Sequence, residues 1–441
     1  MIPQLPFVLW WMWLIFESGR CAEYCKTGED EGCVTDSSRH LYREGVTCPD
    51  VLTYAHHPDK ESQTWQEVPE RDIIAFSAFI ERRTLADGPS VRIVAAGLQE
   101  DYNRIGDVHC LLWYETDIGT ECVTERADYV RIYPSTLHPD MWVSHFIICP
   151  LKRRDIDEMT PYAVSVVPRP CDVPRNLLKI ANRRAIKKTN SHALCLPPIY
   201  NHFSDWRMLV EMIELHRILG ISELVIYNQS MSTEVSHVLD MYAVDPSFSV
   251  NIVQWHFPGN KLKNNVNCQR GAINDCVYRM SARHRYVTVT DLDEVVVPRN
   301  ANTWPEMMRA LATTGSGVYM FQHAYFRRNN TGQTPCLITQ QSLWRTDKVV
   351  PEGKVRCKSM YDTDSLLSLD LHYHYALVPG AVEYLVPPDV GMLHHYRSTP
   401  MSSFRENPEK YTYIEDTYMH RYYDDLVQRF NNIVTRANLK L

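Results

Sequence analysis

The chain has 441 residues, 44% of them hydrophobic and 11% aromatic, and a formal net charge of −7. That length suits two or three domains with sizeable cores. The acidic balance and the scatter of Lys and Arg argue against a partner such as nucleic acid, which needs a basic face.

The chain begins "MIPQLPFVLWWMWLIFESGRC", with an uncharged apolar run over residues 6–16. This run has the length of a signal-peptide core and falls short of the ~20 residues of a spanning helix. Residues 1–21 thus read as a signal peptide or a short membrane anchor, giving a secreted chain if cleaved and a membrane association if kept. Thirteen cysteines, with Cys21, Cys25, Cys33 and Cys48 near the start, fit an oxidising compartment and several disulfides. The odd count leaves at least one outside an intramolecular pair, and no spacing makes a paired CxxC zinc signature. Residues 22–70, polar and Cys-containing, read as a stalk.

From 71 to 185 the pattern is β-rich. "DIIAFSAFI", "SVRIVAAGL", "CLLWYET", "ADYVRIYP", "WVSHFIICP" and "YAVSVVP" are short apolar runs separated by turn signals, which predicts a smaller all-β domain. Residues 172–192, with "RNLLKIANRRAIKKTNS", read as a basic connector whose charge is a solvated face.

From 193 to 441 strands alternate with helices. "ALCLPPIYN" is a first strand ending at Asn201, and "SDWRMLVEMIELHRILG" follows as a helix capped by Ser204 and closed by Gly220. Strand "ISELVIYN", a helix with Val235, Val238, Leu239 and Tyr242 on one face, and strand "VNIVQW" come next. A helix over 269–280 then leads into "RHRYVTVTDLDEVVVPR". This βαβ order predicts an α/β fold with a mostly parallel sheet.

In such a sheet ligands bind outside the carboxyl ends of the strands. Asp291 and Asp293 sit at one such end, two residues apart. Two carboxylates there repel unless a cation lies between them, and hard ions such as Mn²⁺ or Mg²⁺ prefer oxygen ligands shared with a diphosphate. Asp-x-Asp recurs at 155–157 and 362–364, where a solvated turn explains it, but only the copy at 291 ends an alternating apolar run. "GKVRCKSMY" sets Lys354, Arg356 and Lys358 on one side of an extended stretch as phosphate donors, or equally as charges guarding an edge strand. "GMLHHYR" adds His394 and His395, and one imidazole can complete a metal's ligands.

The ordered set "ALCLPPIYNHFSDWRMLVEMIELHRILGISELVIYNQS", "INDCVYR", "YVTVTDLDEVVVP", "KVRCKSMY" and "LHHYR" resembles glycosyltransferase family 92 over roughly 193–400. The resemblance implies a GT-A nucleotide-sugar fold, preceded by the β-rich domain, in a lumenal or membrane-anchored Golgi protein. The implied reaction moves a sugar, foremost galactose, from a UDP-sugar to a hydroxyl of a glycan on glycoprotein or glycolipid, with inversion and Mn²⁺ (or Mg²⁺). On this resemblance Asp291, Asp293 and His395 are the metal ligands and Asn274 and Asp275 face the nucleotide, as do Asn201 and Tyr227 at the first two strand ends. His372 in "LDLHYHY" takes the acceptor side as catalytic group.

Inversion needs a base at the acceptor hydroxyl, and Glu294, Asp362, Asp364, Asp370 and His372 all qualify by sequence position. Asp275 and Arg279, four apart on a helix, also suit a plain ion pair. Two alternatives stay open: a catalytically silent glycan-binding protein of the same fold, and a metal-dependent hydrolase using the same carboxylates.

Overall fold

The computed structural model describes residues 46–54, 64–83, 88–98, 107–117, 119–132, 142–151, 160–184, 186–258, 268–329, 337–347, 357–397 and 412–439. The apolar run at 6–16, the early cysteines before Cys48, Asp155 and Asp157, and Lys354 and Arg356 lie outside these residues. Among the described residues no helix is long and apolar enough to cross a membrane.

The six apolar runs of the 71–168 region are strands Ile73–Glu81, Ser90–Leu98, Val108–Thr116, Gly119–Arg131, Trp142–Pro150 and Ala163–Val167 of a nine-stranded antiparallel sheet. Of two short strands from the segment read as a stalk, Gln66–Glu67 joins an edge and Val46–Thr47 pairs with the interior strand Gly119–Arg131. The long strand Gly119–Arg131 pairs first with Val108–Thr116 and then, over Asp128 to Arg131, with Trp142–Pro150. One chain segment thereby serves both halves of the sheet, which close on a core that includes Ile73, Ile93, Leu112 and Ile147. Disulfides Cys110–Cys149 and Cys48–Cys171 tie this region.

The second sheet has seven strands in the order Ser249–Gln254, Glu223–Asn228, Thr189–Ile199, His284–Val289, Lys358–Asp362, Val318–Phe321 and Glu383–Val386. The first four are mutually parallel. Lys358–Asp362 runs antiparallel to both its neighbours, and Glu383–Val386 returns parallel to Val318–Phe321. A five-stranded sheet is ordered Glu294–Pro298, Gly391–Arg397, His323–Arg327, Trp344–Thr346 and Tyr413–Glu415.

Local sequence explains the helices. Helix Trp206–Ile218 starts one residue later than predicted, because the Asp205 carboxylate and not Ser204 accepts the Met208 N–H at 3.1 Å. Gly220, at φ +95°, ends the turn that follows. Helix Thr233–Ala243 buries Val235, Val238, Leu239 and Tyr242, each worth about 1.5–3 kcal/mol when taken from water.

Helix Gln269–Ser281 lies between the two large sheets. Ala272, Ile273, Cys276 and Val277 share a core with Ile74, Phe76 and Phe146 on one side and with Ala193, Val225 and Val253 on the other. Gly45–Leu441 accordingly form one compact unit.

Candidate active site

The site grows from a topological switch. Strand Thr189–Ile199 has Glu223–Asn228 on one flank and His284–Val289 on the other, so successive connections leave it in opposite directions and open a crevice at the carboxyl edge. Pro197 and Pro198 follow Leu196, and the ladder to Glu223–Asn228 slips there, as expected where two residues lack an N–H to donate.

Strand His284–Val289 ends beside Cys195. The chain then turns over 291–294: the Asp291 carbonyl accepts the Glu294 N–H at 3.0 Å, and the Glu294 Oε2 accepts the Asp291 N–H at 3.1 Å. Glu294–Pro298 re-enters a strand paired with Gly391–Arg397, with Glu294 opposite His395. The Tyr396 N–H donates to the Asp293 carbonyl at 2.8 Å. The three carboxylates are thus held by backbone on both sides.

Strand alternation separates the two histidines of "LHHYR". His394 is wholly buried, with Nδ1 3.1 Å from the Tyr396 hydroxyl and Nε2 accepting from Arg299 at 2.8 Å. Burial and the Arg299 charge hold its ring well below the usual histidine range. His395 faces the crevice: Nε2 lies 3.5 Å from Asp293 Oδ2 and Nδ1 lies 3.3 Å from Glu294 Oε1. Tyr325, opposite it on the next strand, packs with ring centroids 5.3 Å apart.

Lys358 comes from the other side. The register sets Met360 opposite Thr288, which brings Lys358 to the end from which Asp291 follows. Its Nζ is buried, 3.1 Å from Asp291 Oδ2, 3.3 Å from Glu294 Oε2 and 2.9 Å from the Leu371 carbonyl. Burial would depress this ammonium, but the two carboxylates push it the other way, above the ordinary lysine range. Burial pushes Asp291 up, but the charge and hydrogen bond of Lys358, with the charges of His372 and His395, together outweigh it, so that carboxyl sits below its ordinary value. Glu294 goes the opposite way: burial, with Asp291 and Asp293 repelling its charge, pushes it up to about 7 despite Lys358.

The structure therefore brings together Asp291, Asp293 and His395, with His372 close enough for its charge to act on Asp291. Asn201 is exposed in a turn at φ +56°, a conformation Asn tolerates. Tyr227, Asn274 and Asp275 are not presented to the crevice. Asp275 is fully buried and accepts from Ser77, from the Tyr227 hydroxyl and from Arg279 through three contacts at 3.0 Å. Asn274 donates to the Arg270 and Leu369 carbonyls and accepts the Leu369 N–H. These groups pin the helix between the sheets and anchor segment 369–372, which in turn carries Leu371 and His372 to the site.

Among the candidate bases, Asp362 pairs with Tyr286 in register and bonds Arg285, which puts it at the opposite end of the strands; Asp364 bonds Lys188 beside it. Asp370 is engaged by Arg270. The joint hold of Lys358 on Asp291 and Glu294 was not legible in sequence, since it depends on the register of Lys358–Asp362 against His284–Val289.

The residues that carry this geometry match a family model. Residues 190–430 match glycosyltransferase family 92. The chain belongs to that family. Among curated relatives, the beta-1,4-galactosyltransferase galt-1 of Caenorhabditis elegans is 23% identical over 106 residues, 24% of this chain and 25% of the relative's length. The family 92 chain thus aligns with about a quarter of that relative. Among solved structures, HddC from Yersinia pseudotuberculosis is 9% identical with a TM-score of 0.25, over 54% of this chain and 99% of that one. Glucosyl-3-phosphoglycerate synthase from Mycobacterium tuberculosis, solved with Mn²⁺, UDP-glucose and phosphoglyceric acid, is 12% identical with a TM-score of 0.25, over 57% and 81%. At these scores the likeness bears on neither fold nor ligand.

Proposed function

We propose that this family 92 protein is a GT-A-type glycosyltransferase that moves galactose from a UDP-sugar to a hydroxyl of a glycan, with inversion. The observation that carries this reading is the grouping of Asp291, Asp293, Glu294, His395 and Lys358 at the carboxyl ends of the parallel strands of a mixed sheet, at its switch point.

The donor set suits Mn²⁺ or Mg²⁺: two carboxylates, 38% and 30% exposed, and one imidazole nitrogen on the same side. Among the described residues no three His, Cys, Asp or Glu side chains stand in positions that could together hold a metal ion, so the triad would have to close around one. In this reading Asp291, Asp293 and His395 hold the metal, which as a Lewis acid would stabilise the departing diphosphate. Glu294, 3.3 Å from Nδ1, orients the His395 ring so that Nε2 points outward. Lys358 keeps Asp291 ionised. His372 stands next to Asp291 on the segment that Asn274 anchors and is assigned the acceptor side.

A lumenal setting, in the Golgi membrane or secreted, accords with disulfides Cys48–Cys171, Cys110–Cys149 and Cys195–Cys276. The second reading, a catalytically silent glycan-binding protein, draws on the engagement of Asp362, Asp364 and Asp370 by Arg285, Lys188 and Arg270, which leaves no carboxylate of that group open as a base. A UDP-release assay with a panel of UDP-sugars and a mixed glycan pool, with and without Mn²⁺, decides between them. Release that requires both metal and acceptor supports transfer. Absence of release in a protein that binds UDP supports the silent reading, and release without acceptor points to a hydrolase.

A further inference from the structure

The basic connector has a role that the crevice does not use. It runs along a cavity of about 950 Å³ between the nine-stranded sheet and the amino-terminal edge of the seven-stranded one. This is near the top of the range for ligand pockets, about 300–1,000 Å³. Lys179, Arg183, Arg184, Arg279 and Arg283 line it against a single lining carboxylate, Glu115. Asp275 and Glu223 stand behind Arg279 and Arg283, and Glu115 bonds Arg183, while Lys179 and Arg184 are exposed. The chain as a whole carries −7, whereas here five cations meet the three carboxylates that pair with them, so the local balance is positive.

The cavity is also built firmly. The Asn182 side chain accepts the Ile80 N–H at 2.6 Å and donates to its carbonyl at 2.9 Å. Arg82 donates to the Asn182 carbonyl at 2.8 Å and to that of Arg183. Arg183 reaches the Thr160 carbonyl at 3.3 Å. The connector is held by side-chain bonds on both sides. Beside the cations the wall presents the Tyr162 ring, Leu177 and the exposed Ile186. Guanidinium forks suit carboxylate and sulfate groups, and an aromatic plate with apolar neighbours suits the carbon face of a sugar ring.

The strand His284–Val289 separates Arg283, in the cavity wall, from Asp291. Its six residues span roughly 20 Å at about 3.3 Å each, so the two sites lie at opposite ends of the sheet.

We propose that this cavity is a second carbohydrate site, selective for an acidic oligosaccharide bearing sulfate or carboxylate groups and independent of the transferase reading. The probes are a sulfated uronic-acid hexasaccharide, a neutral hexasaccharide and inorganic sulfate, titrated calorimetrically into the full chain at about 0.15 M salt, where exposed charges are screened beyond about 8 Å. Saturable one-to-one binding of the acidic hexasaccharide alone is expected. K179E/R184E should weaken it at least about tenfold, and R309E, an exposed charge elsewhere, should not. Ala181→Trp, which fills the cavity without altering charge, should abolish binding and serves if the double variant does not fold. Equal binding of the neutral sugar, an equal response to sulfate alone, equal loss in R309E, or unchanged binding in Ala181→Trp would each overturn the proposal.

Discussion

Lys358 and Asp293 differ in what their loss should do. Lys358 is buried with two carboxylates that depend on it, so Lys358→Met leaves charge uncompensated and should cost about 3–5 kcal/mol. Urea unfolding measures this; an unchanged midpoint would mean that Asp291 and Glu294 find another counter-charge. Asp293 is partly exposed and touches only His395 by its side chain among the described contacts. Asp293→Asn should therefore leave the unfolding midpoint in place and abolish sugar transfer, and normal turnover by this variant would remove the metal-site reading. At this scale the candidate site was half legible. Alternating Val and Thr followed by carboxylates marks a strand end by period alone. Which of two adjacent histidines faces the crevice, and that Lys358 meets Asp291, is set by pairing with strands more than sixty residues away in sequence.

The helix Gln269–Ser281 shows the same limit for an element. Its span is readable from the spacing of Ile273, Cys276, Val277 and Met280, all buried as that spacing demands. Its burial on both faces is not readable, because the second face is covered by the nine-stranded sheet, which comes from far earlier in the chain. Asn274 and Asp275 look like surface polar groups on a half-buried helix; between two sheets they become bridging groups. Asn274→Ala removes three hydrogen bonds and should cost about 2 kcal/mol or more, read by denaturant unfolding. Cys195–Cys276 staples this helix to the central strand. Replacing both cysteines with Ala should lower stability by about 2–4 kcal/mol, and an unchanged melting temperature would deny the bond its structural part.

Across the whole molecule, buried titratable groups set the response to acid. His192 stacks on Tyr286 at 4.8 Å, and neither of its ring nitrogens has a hydrogen-bond partner. Burial, with the charge of His284 adding to it, depresses this ring to about 3. Burial likewise takes His145 to about 3 and His216 to about 4. Unfolded rings titrate near 6.5, so between about 6.5 and 3 the unfolded chain binds protons that the folded one refuses. Their stability is complete above that window and is lost as pH falls through it. Glu211 and Glu294, pushed up to about 7 chiefly by burial, act in the opposite sense: the folded state takes up their protons first, so they lose stability as pH rises from about 4.5 to 7. His394 acts in the same sense as these three rings, and below about 4.5 the depressed carboxyls of Asp416, Glu81 and Asp291 add to the loss. The melting temperature should drop from pH 6.5 to 4, and less steeply in His192→Phe, which keeps the stacking and removes the protonation; parallel curves would dismiss the histidine account. The amino-acid order by itself determined the strand and helix sequence, the strand-end position of the Asp291 pair and the oxidised cysteines, since periodicity, caps and composition are local. Only the tertiary structure decided that helix Gln269–Ser281 is sandwiched, that Lys358 closes the carboxylate cluster, that Asp362 and Asp364 lie at the wrong end of the sheet, and that the basic connector walls a cavity. Each of these depends on register and packing between distant segments, where the free energy lies in contacts that no short stretch of sequence contains.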